Sequence, residues 1–251
     1  MEGHQISAKE IKTQGFCLIG GAFDESTILL LQDRCTKCLA METAGMSARS
    51  SQGHVYAARN VIDHVAEAKT VWRTPKLTDL LSEVLGEEFG LVRALFFDKP
   101  PDRTWSLPWH KDATIAVVDN SLASMHFSRP TNKAGVPHVI ASDAILGQML
   151  TLRIHLDDVD DENGPLKVIP QSHLSKDCAG LGPDAAVTIR CEAGAVLAMR
   201  PLIDHASGSS KPGVTRHRRI LHLEFAGIPT LPDGFAWHQF VPFDDAATKV
   251  S

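Results

Sequence analysis

The sequence predicts a mainly β protein with flanking α-helices, a sandwich or barrel that carries its N-terminal helices on one sheet. Two observations predict it. Residues 1–90 place their apolar side chains at helical spacing. After Gly90 the texture changes to short apolar runs separated by Gly, Pro, Asn and Asp. No internal repeat, low-complexity tract or linker interrupts the 251 residues, so a single domain is expected.

Ser7 caps a short helix that runs through Thr13 and ends at Gly15, and Phe16 to Ile19 follows as a short buried strand. Asp24 opens a second helix in which Ile28, Leu31, Cys35, Cys38 and Leu39 recur at steps of three and four. Pro75, well suited to a first turn, starts a third helix through Leu77, Leu80, Leu81 and Leu85 to Gly86. The strand candidates are Leu91–Phe97, Thr114–Val118, Met149–Leu156, Leu166–Ile169, Val187–Cys191, Ala195–Met199 and Arg219–Phe225, with Asn163-Gly164-Pro165 as a turn. Asp119 to Gly147, rich in Ser, Asn, Pro and Gly, reads as a long irregular loop, functional or disordered.

Composition narrows the function. Hydrophobic residues make up 43% and charged residues 22%, which excludes a disordered chain or a fibre. A net charge of −5 gives no electrostatic basis for binding nucleic acid or an anionic membrane. Met1 to Glu10 is polar, without the basic and apolar blocks of a targeting signal, and the longest apolar run, Ile28 to Leu31, cannot cross a bilayer. Five cysteines are expected as free thiols in a reducing, cytoplasmic setting. The Cys35–Cys38 pair reads as two small residues on one packed helix face.

Trp109-His110-Lys111-Asp112 holds the most informative spacing. On a strand, residues two apart share a face, so His110 and Asp112 can bind one ion together. His205 is the candidate third ligand. It ends the strand-like run Met199 to Ile203, just before the small-residue loop Ala206 to Ser210. Two imidazoles and a carboxylate on one octahedral face leave positions open, the arrangement of non-haem Fe(II) oxygenases. Among twelve histidines an isolated HxD pair is a weak signal, and further features strengthen it. Ser207 and Arg218 follow His205 at distances that place a hydroxyl and a guanidinium on adjacent strands, and a guanidinium clamps a carboxylate such as the distal end of 2-oxoglutarate. Leu150 to Leu156 alternates, with Thr151, Arg153 and His155 on a face that meets solvent or lines a polar cavity; alternation alone favours solvent. In Arg218 to Phe225, Leu221, Leu223 and Phe225 share one face, and Arg218, Ile220, His222 and Glu224 the other.

These features lie within a wider set of motifs. Phe97-Asp98-Lys99-Pro100-Pro101 leads into the His110 segment, and Leu156-Asp157-Asp158 leads into Asn163-Gly164-Pro165-Leu166. Ile169-Pro170-Gln171-Ser172-His173, Pro201 through Ser207 and His217-Arg218-Arg219 follow, over residues 91–226. With them the chain resembles a phytanoyl-CoA dioxygenase-like Fe(II)/2-oxoglutarate oxygenase, and Lys133 through His138 and Trp237-His238 resemble a bacterial-type branch of that family. The resemblance implies a double-stranded β-helix (a jelly roll, cupin-like) core over 91–226 behind a helical lead-in over 1–90. It implies iron held by His110, Asp112 and His205, and 2-oxoglutarate held by Arg218 and Ser207, with Arg153 a further contact. The implied reaction uses dioxygen (O2), decarboxylates 2-oxoglutarate to succinate and CO2, and hydroxylates a C–H bond of a small molecule.

Three departures from the family pattern stand out. Lys111 occupies a position that is often Gln, and Gln171 one that is commonly Gly. The span from His205 to Arg218 is about two residues long of the usual, which leaves Arg219 as an alternative clamp. Asp112 is present, which disfavours halogenation. Lys99, Trp105, Lys133 and His138 are the candidate substrate contacts, no motif specifies CoA, and the oligomeric state has no signature in the sequence. Two other functions fit the same residues: a desaturase, epimerase or ring-forming oxygenase, and a catalytically silent jelly-roll binding protein.

Overall fold

A computed structural model describes residues 2–40, 47–49, 55–101, 104–174 and 182–243. The chain begins with α1 (Glu2–Gln14), β1 (Phe16–Ile19), α2 (Glu25–Ala40), β2 (Ser47–Arg49), β3 (Val55–Ala58), α3 (Val61–His64) and α4 (Pro75–Leu85). Next come β4 (Gly90–Lys99), β5 (Leu107–His110), β6 (Thr114–Ala116), β7 (Phe127–Lys133), β8 (Val136–Ala141), α5 (Asp143–Leu146), β9 (Met149–His155) and β10 (Leu166–Val168). The last are β11 (Val187–Thr188), β12 (Val196–Met199), β13 (His205–Ser207), β14 (Arg218–Ala226) and β15 (Val241–Pro242). Local chemistry sets the helix boundaries. Asp24 caps α2 through its carboxylate, which accepts the Thr27 backbone N–H at 2.8 Å. Pro75 occupies the first turn of α4, and Gly15 closes α1 at φ +89°, where a Cβ would collide with His173.

The strands of the jelly roll form two facing sheets. The larger runs β1-β12-β9-β14-β4-β3-β2 with β15 beside β4, and the smaller runs β11-β10-β13-β5, all antiparallel. On one face of the larger sheet, Leu150, Leu152 and Ile154 of β9 and Leu221, Leu223 and Phe225 of β14 pack against Ile11, Ile28, Leu31, Leu77 and Leu81 of the helices. That is the sheet-and-helix packing the alternation predicts. A register shift at Val92 keeps both Leu91 and Ala94 on this side. Phe225 meets Trp72 edge-on at 5.1 Å and is fully buried. Phe225→Ala is therefore expected to lower stability by about 3–5 kcal/mol in denaturant unfolding, without changing the denaturant slope. On the other face, Leu197 and Met199 of β12 meet Leu166 and Val168 of the smaller sheet.

Several expectations are corrected. Asp119 to Gly147 is not an irregular loop: it holds the β7–β8 hairpin and α5, and β8 joins β6 in a third sheet, β6-β8-β7. β7 is an exposed edge that tolerates Pro130 beside Arg129 at φ +49°, and its tight turn uses Ala134 (φ +53°) and Gly135 (φ +78°) in place of the usual Asn-Gly. The mainly helical lead-in also contains two short strands, β2 and β3, to which the sequence assigns no element. The run before His205 is not one strand. β12 stops at Met199, the chain turns at Arg200–Ile203, and His205 opens β13 in the opposite sheet. Cys35 and Cys38 are buried free thiols on α2 as expected, while Cys178 lies outside the described residues.

Candidate metal centre and cavity

β13 and β5 pair antiparallel with His205 directly opposite His110, and their rings lie 4.2 Å apart between centroids. Asp112 lies two residues past the end of β5 and not on a strand; its backbone N–H donates to the Pro201 carbonyl at 2.9 Å, which anchors it to the turn before His205. One Asp112 oxygen is 3.5 Å from His205 Nε2 and the other 3.8 Å from His110 Nε2. The ligand atoms of the three residues all lie within 4.8 Å of one another, close enough to share an ion.

Each imidazole is set for that task by its own backbone. His110 Nδ1 lies 2.7 Å from the Pro108 carbonyl and His205 Nδ1 3.0 Å from that of Ile203, both two residues upstream. A carbonyl only accepts, so each Nδ1 carries the proton and each Nε2 turns its lone pair inward. Burial lowers the pKa of His205 and Asp112 partly offsets this, which favours the neutral, ligating form. Burial raises Asp112, while His205, His222 and His110, when protonated, and Arg153 outweigh it and hold the carboxyl at about 2, ionised.

Ser172 braces both ligand segments. Its hydroxyl accepts the backbone N–H of Asp204 at 2.7 Å, and its carbonyl accepts Lys111 Nζ at 2.9 Å, so Lys111 turns away from the ligand cluster. Gln171 sits at φ +66°, the reason glycine is favoured there.

A cavity of about 500 Å³, open mouth included, lies between the two sheets beside this cluster. The larger sheet contributes Arg153, Arg218, His222 and Glu224; the smaller contributes Ser207 and Leu166, with Trp105 from the β4–β5 loop. Ser207 and Arg218 thus face each other across the cavity rather than from adjacent strands. Arg218 is 3% exposed, and Arg219 points away in a two-pronged pair with Asp157 at 2.6 and 2.9 Å. Arg153, on the face that alternation alone assigned to solvent, is buried in the cavity wall and donates to His222 Nδ1 at 2.9 Å.

The cavity wall carries more positive than negative charge. Burial and Arg153 push Arg218 down to about 9; behind the wall, burial, Arg218 and Arg153 push the fully buried Lys99 down to about 6, which leaves its amine largely neutral. The Nε atoms of Arg218 and Arg153 are buried without a hydrogen-bond partner. Buried donors left unpaired beside clustered cations fit a dicarboxylate such as 2-oxoglutarate.

The candidate substrate residues separate. Lys133 lines a second pocket that shares His110 and Asp112 with the first. Trp105 lines the inner cavity and donates its indole N–H to the Asp98 carbonyl at 3.0 Å. Lys99 donates to the Gly208 and Gly164 carbonyls behind Trp105, where Gly164 (φ +67°) leaves no room for a Cβ. His138 is buried on β8, with Nδ1 2.8 Å from the Val136 carbonyl. Two lining residues, Arg93 and Glu224, were not among the candidates. They pair at 2.9 and 2.6 Å, and Glu224 also meets His222 at 3.1 Å. Their shared cavity-side parity on β4 and β14 was the available signal.

A family model described as phytanoyl-CoA dioxygenase (PhyH) matches residues 11–218. The chain belongs to the phytanoyl-CoA dioxygenase family. It is an Fe(II)/2-oxoglutarate oxygenase of that family, with iron, 2-oxoglutarate and dioxygen as cofactors. Solved structures share its fold. The α-ketoglutarate-dependent epimerase SnoN of nogalamycin biosynthesis matches at TM-score 0.69 and 17% identity, over 93% of this chain and 87% of its own. The carbocyclase SnoK of the same biosynthesis matches at 0.65 and 16%, over 88% and 83%, and EctD from S. alaskensis at 0.64 and 18%, over 87% and 75%. No curated protein matches the chain at a significant level. Among the described residues no helix is long and apolar enough to cross a membrane.

Proposed function

We propose that this family member, as one domain over residues 1–251, hydroxylates a C–H bond of a small molecule. His110, Asp112 and His205 hold the iron, and Arg218, Ser207 and Arg153 hold 2-oxoglutarate. The observation that carries this reading is the pairing of two backbone-locked imidazoles and an ionised carboxylate with unpaired guanidinium nitrogens across one cavity. Iron and 2-oxoglutarate, when bound, would activate O2, which oxidises both partners: one oxygen atom would enter succinate as 2-oxoglutarate loses CO2, and the other the substrate C–H bond. The chain supplies geometry. His110 and His205 present fixed lone pairs, Arg218 neutralises the far carboxylate while Ser207 offers it a hydroxyl, and Phe97, Leu95 and Leu107 exclude water from the reacting face.

Epimerisation or ring closure is the second reading, since the fold is shared with SnoN, an epimerase, and SnoK, a carbocyclase. Purified protein with Fe(II), 2-oxoglutarate and O2 is expected to form succinate, and hydroxylation adds one oxygen to the substrate where epimerisation adds none. Protein that retains 2-oxoglutarate yet never forms succinate is instead a silent binding protein.

A further inference from the structure

Three neighbouring strands of the larger sheet, β4, β14 and β9, present a row of polar side chains to the cavity. Arg93 of β4 stands directly opposite Glu224 of β14, and His222 of β14 directly opposite Arg153 of β9. Glu224 and His222 are two residues apart on one face of β14, so the two cross-strand pairs join into a single chain. Arg93 donates to both Glu224 oxygens at 2.9 and 2.6 Å. His222 Nε2 lies 3.1 Å from Glu224 Oε1, and Arg153 donates to His222 Nδ1 at 2.9 Å.

These contacts fix where the His222 proton sits. A guanidinium only donates, so Nδ1 accepts from Arg153, and Nε2 carries the proton and donates to Glu224. Burial raises the pKa of Glu224, while Arg93 and the His222 hydrogen bond outweigh it, so the carboxyl stays ionised and accepts.

Arg153 depends on this chain for its place. Its guanidinium lies over the Phe97 ring at 5.8 Å, and its one hydrogen bond among the described residues is the one to His222. Its Nε is buried without a partner. Asp112 attracts the guanidinium and Arg218 repels it, so without a fixed acceptor this long side chain has no single position.

We propose that Glu224 is a positioning residue for the cosubstrate. It holds His222 protonated on Nε2, and His222 in turn keeps Arg153 aimed so that its remaining N–H groups meet 2-oxoglutarate. This rests on the oxygenase reading, in which Arg153 contacts 2-oxoglutarate. If the Glu224 charge is removed, the ring proton is free to move to Nδ1, where two donors then face each other and Arg153 turns away.

The test uses full-length protein loaded with Zn(II), which does not turn over. Calorimetry reads 2-oxoglutarate binding, and zinc content is measured on each variant. Glu224→Gln is expected to weaken 2-oxoglutarate about tenfold with zinc content unchanged. Nitrogen NMR of isotope-labelled histidine is expected to show the His222 proton leaving Nε2 in that variant. His222→Phe keeps a ring and removes both nitrogens, and is expected to weaken binding to the same degree. His222→Asn places an amide oxygen where Nδ1 stood, and is expected to bind within about twofold of the unsubstituted protein. Adding Glu224→Gln to His222→Asn should then cost less than about twofold, because the asparagine needs no proton placed for it. Unchanged affinity in Glu224→Gln or in His222→Phe overturns the inference. So does a full tenfold loss from Glu224→Gln in the His222→Asn background, the pattern of a general packing role. Failure of the unsubstituted protein to bind 2-oxoglutarate is a distinct result, which strikes the oxygenase reading and this inference with it.

Discussion

His205→Ala is expected to strip the metal from the protein and abolish succinate formation. His205 is 3% exposed, stands in register opposite His110, and has its Nδ1 proton fixed by the Ile203 carbonyl, while the other imidazole lining the cavity, His222, is engaged by Arg153 and Glu224. Loss of an outer partner of a ligand costs about 10–100-fold in metal affinity, and loss of the ligand itself exceeds that. The remaining pair, His110 and Asp112, is half-exposed and offers two donors where three face one ion. Metal content after dialysis checks the first claim and succinate yield the second. Stoichiometric iron with full activity in folded His205→Ala would remove the residue from the centre.

Arg218→Met should raise the 2-oxoglutarate concentration needed for half-maximal turnover at least about a hundredfold and leave metal content intact. An unpaired charge in a buried site costs about 3–5 kcal/mol, which is more than two orders of magnitude in binding. Arg219→Met should behave differently. Arg219 meets Asp157 through its backbone N–H and two guanidinium nitrogens at 2.6–2.9 Å, away from the cavity. Its loss is expected to lower stability by about 1 kcal/mol and to leave the 2-oxoglutarate requirement nearly unchanged. Titrating 2-oxoglutarate against both variants separates the two residues. The reverse pattern would put Arg219 in the cavity and shift β14 by one position.

Alternation made the larger sheet legible in the sequence. A strand with two distinct faces announces both, so the parity of Leu221, Leu223 and Phe225 against Arg218, His222 and Glu224 was readable without coordinates, and the same holds for Leu150 to Ile154. The His110–Asp112 spacing was readable for a partly different reason than supposed, because Asp112 takes its position from the Pro201 carbonyl rather than from strand geometry. Sequence signals failed where an element's stability comes from elsewhere. β7 carries Pro130 and a mostly exposed side, and its turn uses Ala134, so nothing local marks a hairpin that pairing with β8 stabilises. Likewise the Arg93–Glu224 pair joins residues 131 positions apart, a distance over which neither residue type predicts the other. Lys99, a candidate substrate contact in the sequence, is fully buried and held by carbonyls from two loops remote in sequence.

The double duty of β14 and β9 bears on how such a chain can diverge. Leu150, Leu152 and Ile154 of β9 and Leu221, Leu223 and Phe225 of β14 belong to the scaffold, while Arg153 of β9 and Arg218, His222 and Glu224 of β14, on the opposite faces, line the cavity. Point changes on the chamber side can accumulate without disturbing the helices behind, so a lineage can explore new substrates while inheriting the same architecture. A single inserted or deleted codon within either strand has the opposite effect, because it exchanges the two sets of residues and damages scaffold and chamber together. Length variation in this lineage should therefore gather in the connecting loops, and these two strands should keep their length while their chamber-facing letters drift.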